Sequence, residues 1–154
     1  MKYLAILGST GSIGQSALKV VSNFPGEFRI RSLSVNSNID TLFRQIRIFH
    51  PALVCVKDPL AAARLKNKLA RCRQTRVLTG DEGLEEIVSD KRLDEVLLAI
   101  SGSDALWPLL KAIENGKDIS LANKEALVVA GDILMRKAQE KRVRIKPIDS
   151  EQSA

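Results

Sequence analysis

The sequence predicts an α/β fold: a doubly wound, mostly parallel sheet with helices on both faces. Two observations lead to this prediction. Short apolar segments alternate along the chain with longer segments of helical spacing, which is the pattern of βαβ units. Several short segments are almost wholly apolar, as strands are when helices cover both faces of a parallel sheet. The pattern therefore indicates one domain in which each helix returns the chain to a parallel strand.

The expected elements follow from hydrophobic periodicity. Strands are predicted at residues 3–7, 28–35, 53–56, 76–78, 95–100, 119–121 and 144–148. Helices are predicted at residues 12–22, 39–49, 59–72 and 124–141, and a further helix follows residue 104 with Pro108 in its first turn. The first helix is expected to bury the face that carries Ile13, Ala17, Val20 and Val21.

The composition is that of one globular domain. The chain has 154 residues, of which 45% are hydrophobic and 27% charged. No apolar run in the sequence approaches the roughly 18 residues of a membrane span, so no membrane partner is expected. The first residues resemble a strand more than a signal peptide. Cys55 and Cys72 form neither a CxxC pair nor a metal-binding spacing, which favours a reducing, cytoplasmic location.

The charge balance favours an anionic partner. Lys and Arg number 24 against 18 Asp and Glu, a net charge of +6. Nucleic acid, an acidic surface and a phosphorylated small molecule would all suit this charge. A nucleic-acid-binding module is therefore one alternative. However, the basic residues are spread over several elements and no recognised nucleic-acid motif is present, so no nucleic-acid partner is expected.

A glycine-rich segment directly after the first predicted strand opens the first helix. It reads Gly8-Ser9-Thr10-Gly11-Ser12-Ile13-Gly14. Glycine permits a tight turn and close approach of the backbone to a ligand, and the helix N-terminus presents N–H groups and a positive dipole end to a pyrophosphate. This position between strand and helix predicts a Rossmann-like dinucleotide site. The alternative is a glycine-rich turn that binds nothing.

The end of the second strand indicates which dinucleotide is bound. It carries Asn36, Ser37 and Asn38, with no carboxylate before Asp40. NAD-binding domains usually place an acidic residue there to accept from the ribose hydroxyl. Neutral donors leave room for a 2′-phosphate and so favour NADP. Alternatively, Asn38 caps the next helix and Asp40 stabilises its first turn, and both interpretations can hold together.

A lysine occupies an unfavourable position where residues 120–127 pass from a strand into a helix. Asn123 is a good N-cap and Glu125 suits a first turn. Lys124 does not, because a cation there opposes the helix dipole by about a few tenths of a kcal/mol. An anionic ligand near the helix end would remove this conflict. The alternative is an exposed, solvated lysine.

Three motifs resemble those of the 1-deoxy-D-xylulose 5-phosphate reductoisomerase family: residues 8–14, 121–125 (Leu-Ala-Asn-Lys-Glu) and 147–151 (Pro-Ile-Asp-Ser-Glu). They occur in family order over the whole chain. The resemblance implies NADPH and a divalent metal, Mg²⁺ or Mn²⁺, as cofactors. It implies rearrangement and reduction of a phosphorylated sugar, 1-deoxy-D-xylulose 5-phosphate, to 2-C-methyl-D-erythritol 4-phosphate in non-mevalonate isoprenoid synthesis. It also implies that full-length members are homodimers.

The resemblance further implies roles for individual residues. The cofactor would be held at its phosphates by Gly8, Thr10, Gly11, Ser12, Ile13 and Gly14, at its 2′-phosphate by Asn36, Ser37 and Asn38, and nearer the nicotinamide by Asn123 and Glu125. Substrate would be contacted by Lys124, Ser150 and Glu151, with Lys124 and Glu151 catalytic. Asp149 and Glu151 would bind the metal, since carboxylates suit these ions and alternate residues of an extended segment project to one side. Without the resemblance, this acidic pair would be interpreted as an exposed turn.

The chain departs from the family pattern in several places. Residues 36–38 stand where many relatives have Gly-Lys-Asn, so a cation is missing at the 2′-phosphate end. Residues 100–104 are more polar than the family's small-residue stretch, and Gln152 stands where relatives commonly have His. Because the chain ends just beyond the acidic motif, we expect residues 1–154 to be a dinucleotide-binding domain without reductoisomerase turnover.

Two other interpretations remain open at this point. One is the NAD(P)-binding domain of another Rossmann dehydrogenase, of the semialdehyde or homoserine type. It would explain the glycine-rich segment but not the two later motifs. The other is a domain with a vestigial site that serves dimer assembly and binds no dinucleotide.

Overall fold

The computed structural model describes residues 1–72 and 74–148, which form a sheet covered by helices. The elements in chain order are β1 (Lys2–Leu7), α1 (Ser12–Asn23), β2 (Phe28–Val35), α2 (Ile39–Phe49), β3 (Leu53–Val56), α3 (Pro59–Lys68), β4 (Arg76–Thr79), α4 (Gly80–Ser89), β5 (Glu95–Leu98), a 3₁₀ turn (Gly102–Ala105), α5 (Leu106–Glu114), β6 (Asp118–Leu121), α6 (Lys124–Lys141) and β7 (Ile145–Pro147). None of the helices in these residues has both the length and the apolar character needed to cross a membrane.

The sheet has the strand order β4-β3-β2-β1-β5-β6-β7, and every neighbouring pair is parallel. The chain builds outward from β1 to β4, then crosses back so that β5 lies on the other side of β1. The carboxyl ends of β1 and β5 therefore form a topological switch point, where ligands bind in open α/β sheets. This order confirms the predicted doubly wound fold.

The sheet separates two hydrophobic clusters. Helices α1, α2 and α3 pack on one face, and α4, α5 and α6 pack on the other. Along β1, Ile6 faces the first cluster, whereas Ala5 and Leu7 face the second. All three are completely buried. This alternation is the period of two that a strand imposes, and it confirms that helices cover both faces.

Helix α1 buries only part of the predicted face: Val21 is buried and Ala17 half-buried as expected, but Ile13 and Val20 are not. Its buried residues are Gly14, Leu18 and Val21, whereas Ile13 and Val20 are 40% and 52% exposed. Gly14 explains the difference, because a Cβ at this position would lie 2.3 Å from the carbonyl oxygen of residue 8. The helix lies against the preceding turn at a glycine, which an apolar pattern does not count.

Helix α4 was not predicted from the apolar pattern. It begins at Gly80 and contains Gly83, and glycine lowers helix propensity by about 1 kcal/mol relative to alanine. The glycine at position 83 is required by packing, because a Cβ there would lie 2.8 Å from the Sγ atom of Cys55. A residue that weakens the helical signal in the sequence thus permits the helix to approach β3.

Two elements end at least two residues earlier than predicted. Helix α3 ends at Lys68 rather than at residue 72, because the chain tightens into a turn in which the N–H of Cys72 donates to the carbonyl of Leu69 at 2.7 Å. Strand β5 ends at Leu98 rather than at residue 100, where its pairing with Leu121 of β6 also ends. The other predicted strands and helices agree with the structure to within one residue.

An ion cluster around the buried carboxylate of Glu95 lies at the amino end of β5, and its two lysines, Lys2 and Lys146, are 43% and 47% exposed. The side chain of Glu95 is 10% exposed and accepts hydrogen bonds from the Ser120 hydroxyl at 2.5 Å, Lys2 Nζ at 3.2 Å and Lys146 Nζ at 3.4 Å. Burial by itself raises the pKa of Glu95. The hydrogen bonds from Ser120 and Lys2 and the charge of Lys146 outweigh burial, so the pKa of Glu95 is lowered from its usual value.

We expect Glu95→Gln to lower the free energy of unfolding near neutral pH by about 1–3 kcal/mol, because three donors lose an ionised acceptor. Since the folded pKa lies below the unfolded one, the stabilisation from Glu95 is complete above about pH 4.3 and is lost as the pH falls through the folded pKa. Urea unfolding followed by circular dichroism over this range measures both effects.

The matched control for this prediction is Glu114→Gln, which removes a more exposed carboxylate that bridges Lys111 and Lys137 on the surface. It should change stability little at any of these pH values. Identical pH profiles for the wild-type chain and Glu95→Gln would contradict the role given to the buried carboxylate.

Candidate functional site

The glycine-rich turn follows β1 at the switch point. Gly8 has a φ of +89°, a region in which residues with a Cβ are strained. A Cβ at Gly8 would also lie 2.6 Å from the carbonyl oxygen of Ala99, which follows β5. The N–H groups of Gly8 and Ser9 both donate to the carbonyl oxygen of Ser34 in β2, at 3.0 and 2.9 Å. The turn is thus fixed against the ends of both strands that flank β1.

The three glycines of the turn serve different purposes. A Cβ at Gly8 or Gly14 would collide with backbone atoms, the nearest at 2.6 and 2.3 Å. Gly11 has a φ of −73°, and a Cβ there would meet its nearest atom at 3.6 Å, an ordinary van der Waals contact. The fold therefore does not require glycine at position 11. A ligand lying directly against the turn would require it.

Helix α1 begins without a side-chain cap. Gly11 is its N-cap residue, and no acidic residue lies in its first turn. Helices α4 and α5 also lack a side-chain cap, whereas in α2, α3 and α6 the side chains of Asn38, Asp58 and Asn123 accept hydrogen bonds from first-turn N–H groups. The N-terminus of α1 therefore keeps N–H groups and a positive dipole end for an anion beside the turn.

Two clefts lie at the carboxyl edge of the sheet and share a wall. The first has a volume of about 310 Å³ and is lined by Gly8, Thr10, Gly11, Ser34, Val35, Asn36, Lys57, Leu84, Ala99, Ile100, Ser101 and Asp104. The second has a volume of about 260 Å³ and is lined by Ile13, Ala99, Ile100, Ser101, Ala122, Asn123, Lys124 and Glu125. Residues 99–101 line both clefts. Together the clefts form an extended groove beside the glycine-rich turn.

Gln45 of α2 fixes this turn, and sequence reasoning did not identify it. It is buried, its Nε2 donates to the carbonyl oxygen of Ser9 at 2.9 Å, and its Oε1 accepts from the Ser9 hydroxyl at 2.7 Å. This reciprocal pair ties the turn to a helix 36 residues further along the chain. The one sequence signal is a polar residue on the helix face that also carries Leu42 and Ile46.

The residues after β2 divide between capping and the cleft. Asn38 caps α2 by accepting from the N–H of Thr41 at 3.2 Å, and Asp40 lies in the first turn of that helix. The predicted capping role of Asn38 is therefore confirmed. Asn36 lines the first cleft, and Ser37 is exposed beside it.

The start of α6 shapes the second cleft. Asn123 caps the helix through the N–H of Ala126, as predicted, and its Nδ2 donates to the carbonyl oxygens of Ile100 and Gly102 at 2.8 and 2.9 Å. The carboxylate of Glu125 accepts from the N–H of Gly102 at 2.9 Å. Both side chains thus hold the 3₁₀ turn in place. Lys124, the first residue of α6, lines the cleft between them.

Lys57 follows β3 and reaches the first cleft, a position that sequence reasoning did not single out. Its Nζ lies 2.7 Å from Oδ2 of Asp104 in the 3₁₀ turn. The ion pair therefore joins the end of β3 to the segment after β5. The hydrogen bond to Asp104 raises the pKa of Lys57 and outweighs the opposing effect of burial, so the ammonium group stays charged.

Both cysteines are free thiols. Cys55 is buried, and its Sγ donates to the carbonyl oxygen of Gly80 at 3.3 Å. Burial, with a smaller contribution from the charge of Asp81, raises the pKa of the Cys55 thiol to about 12. This thiol is therefore protonated and unreactive near neutral pH. Cys72 is exposed.

The predicted metal and substrate residues Asp149, Ser150 and Glu151 lie outside the described residues. Within residues 1–72 and 74–148, no three or more His, Cys, Asp or Glu side chains are grouped so that they could hold a metal ion. The roles of these three residues therefore stay predictions.

Comparison with known proteins identifies the family. The family model for 1-deoxy-D-xylulose 5-phosphate reductoisomerase matches residues 4–131. The chain belongs to this family. Curated reductoisomerases from Thermoanaerobacter pseudethanolicus and Caldanaerobacter subterraneus are 46% and 47% identical to it over 154 residues. The chain spans 40% of the length of each of these relatives.

Solved reductoisomerases have the same fold. A crystal structure of DOX-P reductoisomerase in complex with NADPH, fosmidomycin and magnesium matches with a TM-score of 0.94 and 43% identity, covering 100% of this chain and 38% of that one. The Zymomonas mobilis reductoisomerase in complex with NADPH matches with a TM-score of 0.91 and 31% identity, covering 99% and 40%. A Staphylococcus aureus homoserine dehydrogenase, 20% identical with a TM-score of 0.62, shares only the fold, so the homoserine-type alternative is not favoured.

We expect Gln45→Leu to lower the free energy of unfolding by about 1–3 kcal/mol, because the buried hydroxyl and carbonyl of Ser9 lose their partner. Urea unfolding followed by circular dichroism measures the loss. Gln15→Leu is the matched control, since the exposed Gln15 donates to the carbonyl of Thr10 in the same turn at 2.7 Å, where water can replace it. Equal losses in the two variants would contradict the special role of the buried pair.

Proposed function

We propose that this chain is the NADPH-binding domain of a reductoisomerase that converts 1-deoxy-D-xylulose 5-phosphate to 2-C-methyl-D-erythritol 4-phosphate. The observation that carries the proposal is the turn at the switch point, where Gly11 lines a cleft and is a glycine that the fold does not need. Membership of the reductoisomerase family supports it. So does the presence of NADPH in the solved relatives described above.

The groove suits a dinucleotide in its shape and in the groups it offers. The pyrophosphate would lie at the uncapped start of α1, against Gly8, Thr10, Gly11, Ser12 and Ile13, while the buried Gly14 holds the helix against the turn. The adenosine half would occupy the first cleft, with its 2′-phosphate near Asn36, Ser37 and Asn38. The nicotinamide half would lie in the second cleft, beside Asn123 and Glu125. The shared wall lets one ligand reach both clefts.

The residues around the second cleft would position the nicotinamide and the substrate for the reduction. NADPH, when bound, supplies the hydride for the reduction. Asn123 and Glu125 hold the 3₁₀ turn that bounds the cleft, and so fix the space beside the nicotinamide. Lys124 brings a positive charge to this cleft, where it would contact and orient the phosphorylated substrate.

The acidic motif would complete the reacting centre. Asp149 and Glu151 offer carboxylate oxygens, the donors that Mg²⁺ and Mn²⁺ prefer. A metal held there supplies Lewis-acid polarisation of the substrate oxygens. Ser150 and Glu151 would also contact the substrate directly.

Residues 1–154 would then form a cofactor-binding domain that ends at the start of the catalytic region. The chain spans 40% of the length of its relatives, so further elements of a complete enzyme would lie outside it. We place the complete enzyme in the cytoplasm as a homodimer. The two free thiols fit a reducing compartment.

The first prediction of this proposal concerns cofactor binding. In calorimetric titrations, the 154-residue chain should bind NADPH more tightly than NADH. Gly11→Ala should weaken NADPH binding about tenfold or more, because a methyl group keeps the phosphates away from the helix N-terminus. Its free energy of unfolding should change by no more than about 1 kcal/mol, since alanine is only a poorer N-cap than glycine.

Gly14→Ala is the control that separates binding from folding. A Cβ at position 14 meets backbone atoms of the turn, so this variant should be clearly destabilised in urea. Wild-type chain that binds neither dinucleotide would sink the proposal. If the Gly11→Ala chain binds NADPH with the same affinity as the wild-type chain, the role proposed for Gly11 is wrong.

The second prediction concerns turnover. The 154-residue chain, mixed with NADPH, 1-deoxy-D-xylulose 5-phosphate and Mg²⁺ or Mn²⁺, should show no substrate-dependent loss of NADPH absorbance. It should still bind NADPH in the same buffer, which shows that the cofactor site is intact. Substrate-dependent oxidation of NADPH by these residues alone would contradict the assignment as a cofactor domain.

A further inference from the structure

The end of β2 carries only neutral side chains, so a cation for a 2′-phosphate must come from elsewhere. Asn36, Ser37 and Asn38 are exposed and uncharged, and the Asn38 oxygen already caps α2. A phosphate monoester carries nearly two negative charges at neutral pH. The need for such a cation rests on the proposed function, because NADH has no 2′-phosphate.

Lys57 is the one basic side chain among the described residues that line the first cleft. The backbone after β3 continues beside the backbone after β2. The N–H of Lys57 donates to the carbonyl of Val35, and the N–H of Asp58 donates to the carbonyl of Asn36, both at 3.0 Å. Lys57 thus lies next to the strand end at which the adenosine ribose is expected in a doubly wound fold.

The ion pair that Lys57 makes with Asp104 is easily exchanged. The two side chains are 41% and 63% exposed, and pairs this exposed contribute little to stability. A phosphate offers the ammonium group three acceptor oxygens and a larger negative charge than one carboxylate does. Lys68, a basic residue near the start of α2, is held by Asp40 at 2.6 Å and does not line the cleft.

We propose that Lys57 selects NADPH over NADH by leaving Asp104 and pairing with the adenosine 2′-phosphate. Asp104 holds the lysine at the cleft when no cofactor is bound, and it competes with the phosphate for the ammonium group. The specificity of the site then resides at the end of β3, one strand beyond the position at which cofactor choice is usually determined.

Calorimetric titration of the 154-residue chain and its variants tests this proposal. The ligands form two pairs: NADPH with NADH, and adenosine 2′,5′-bisphosphate with adenosine 5′-monophosphate. In each pair only the first ligand has the 2′-phosphate. Lys57→Met should weaken binding of the two 2′-phosphorylated ligands about tenfold or more, the effect of one lost charge-assisted hydrogen bond. Binding of the other two should stay within about twofold. Lys57→Arg should keep most of the NADPH preference, because it keeps the charge.

A second variant tests the competing partner. Asp104→Asn removes the carboxylate that competes with the phosphate, so it should strengthen NADPH binding by about a few-fold and leave NADH binding unchanged. The control is Lys137→Met. Lys137 of α6 is 39% exposed and pairs with Glu114 at 3.1 Å, so it matches Lys57 in exposure and pairing. Its removal lowers the net charge equally and should leave all four affinities unchanged. Circular dichroism verifies that each variant is folded.

The outcomes that overturn the proposal are distinct from one another. If Lys57→Met leaves both the NADPH and the NADH affinity at their wild-type values, Lys57 does not recognise the 2′-phosphate, although the proposed function stands. If both cofactors weaken equally, the lysine packs against adenosine. If Asp104→Asn binds NADPH more weakly, Asp104 does not compete with the phosphate. If the wild-type chain binds neither cofactor, the proposed function fails together with this inference.

Discussion

The close approach of Gly8 to the backbone of Ala99 is the constraint on which the candidate site depends. A Cβ at Gly8 would lie 2.6 Å from the Ala99 carbonyl oxygen, so only a glycine lets the end of β1 pass so near the segment after β5. With that approach in place, the N–H groups of Gly8 and Ser9 reach Ser34 of β2. Gly14 then brings α1 against the turn, which sets the N-terminus of that helix beside the groove. One backbone contact thus positions elements on both sides of β1.

Polar side chains hold the backbone of the site in the position that the glycines permit. These side chains come from helices α2 and α6 and their caps, not from the turn itself. Gln45 of α2 satisfies the buried polar groups of Ser9. Asn123 and Glu125 at the start of α6 hold the backbone around Gly102, on the other side of the groove. Buried or constrained backbone groups need such partners, because an unsatisfied one costs about 1–3 kcal/mol. Capping of α6 and definition of the second cleft are therefore performed by the same residue, Asn123.

The sequence predicts those parts of the molecule whose physical cause is local. Apolar strands, the turn after β1 and the cap at Asn123 each depend on residues within a few positions, and their patterns are visible without the fold. Gln45 and Lys57 acquire their roles from strand order and helix position, which place them beside residues far away in the chain. Helix α4 was not predicted, and the buried face of α1 was predicted only in part, for one reason. In both, a glycine makes the closest contact, and hydrophobic periodicity counts glycine as an interruption.

The strand order also determines which charged side chains lie at the groove. In this sheet β2 lies between β1 and β3, so the carboxyl ends of all three strands meet at one edge. The first cleft is lined from each of them: Gly8 after β1, Asn36 after β2 and Lys57 after β3. A ligand at that edge therefore interacts with the charges of three strand ends together. Neutral residues after β2 do not make the site neutral, because the ammonium group of Lys57 and the carboxylate of Asp104 reach it from neighbouring segments. The electrostatic character of such a site is a property of the sheet edge and cannot be derived from one strand end alone.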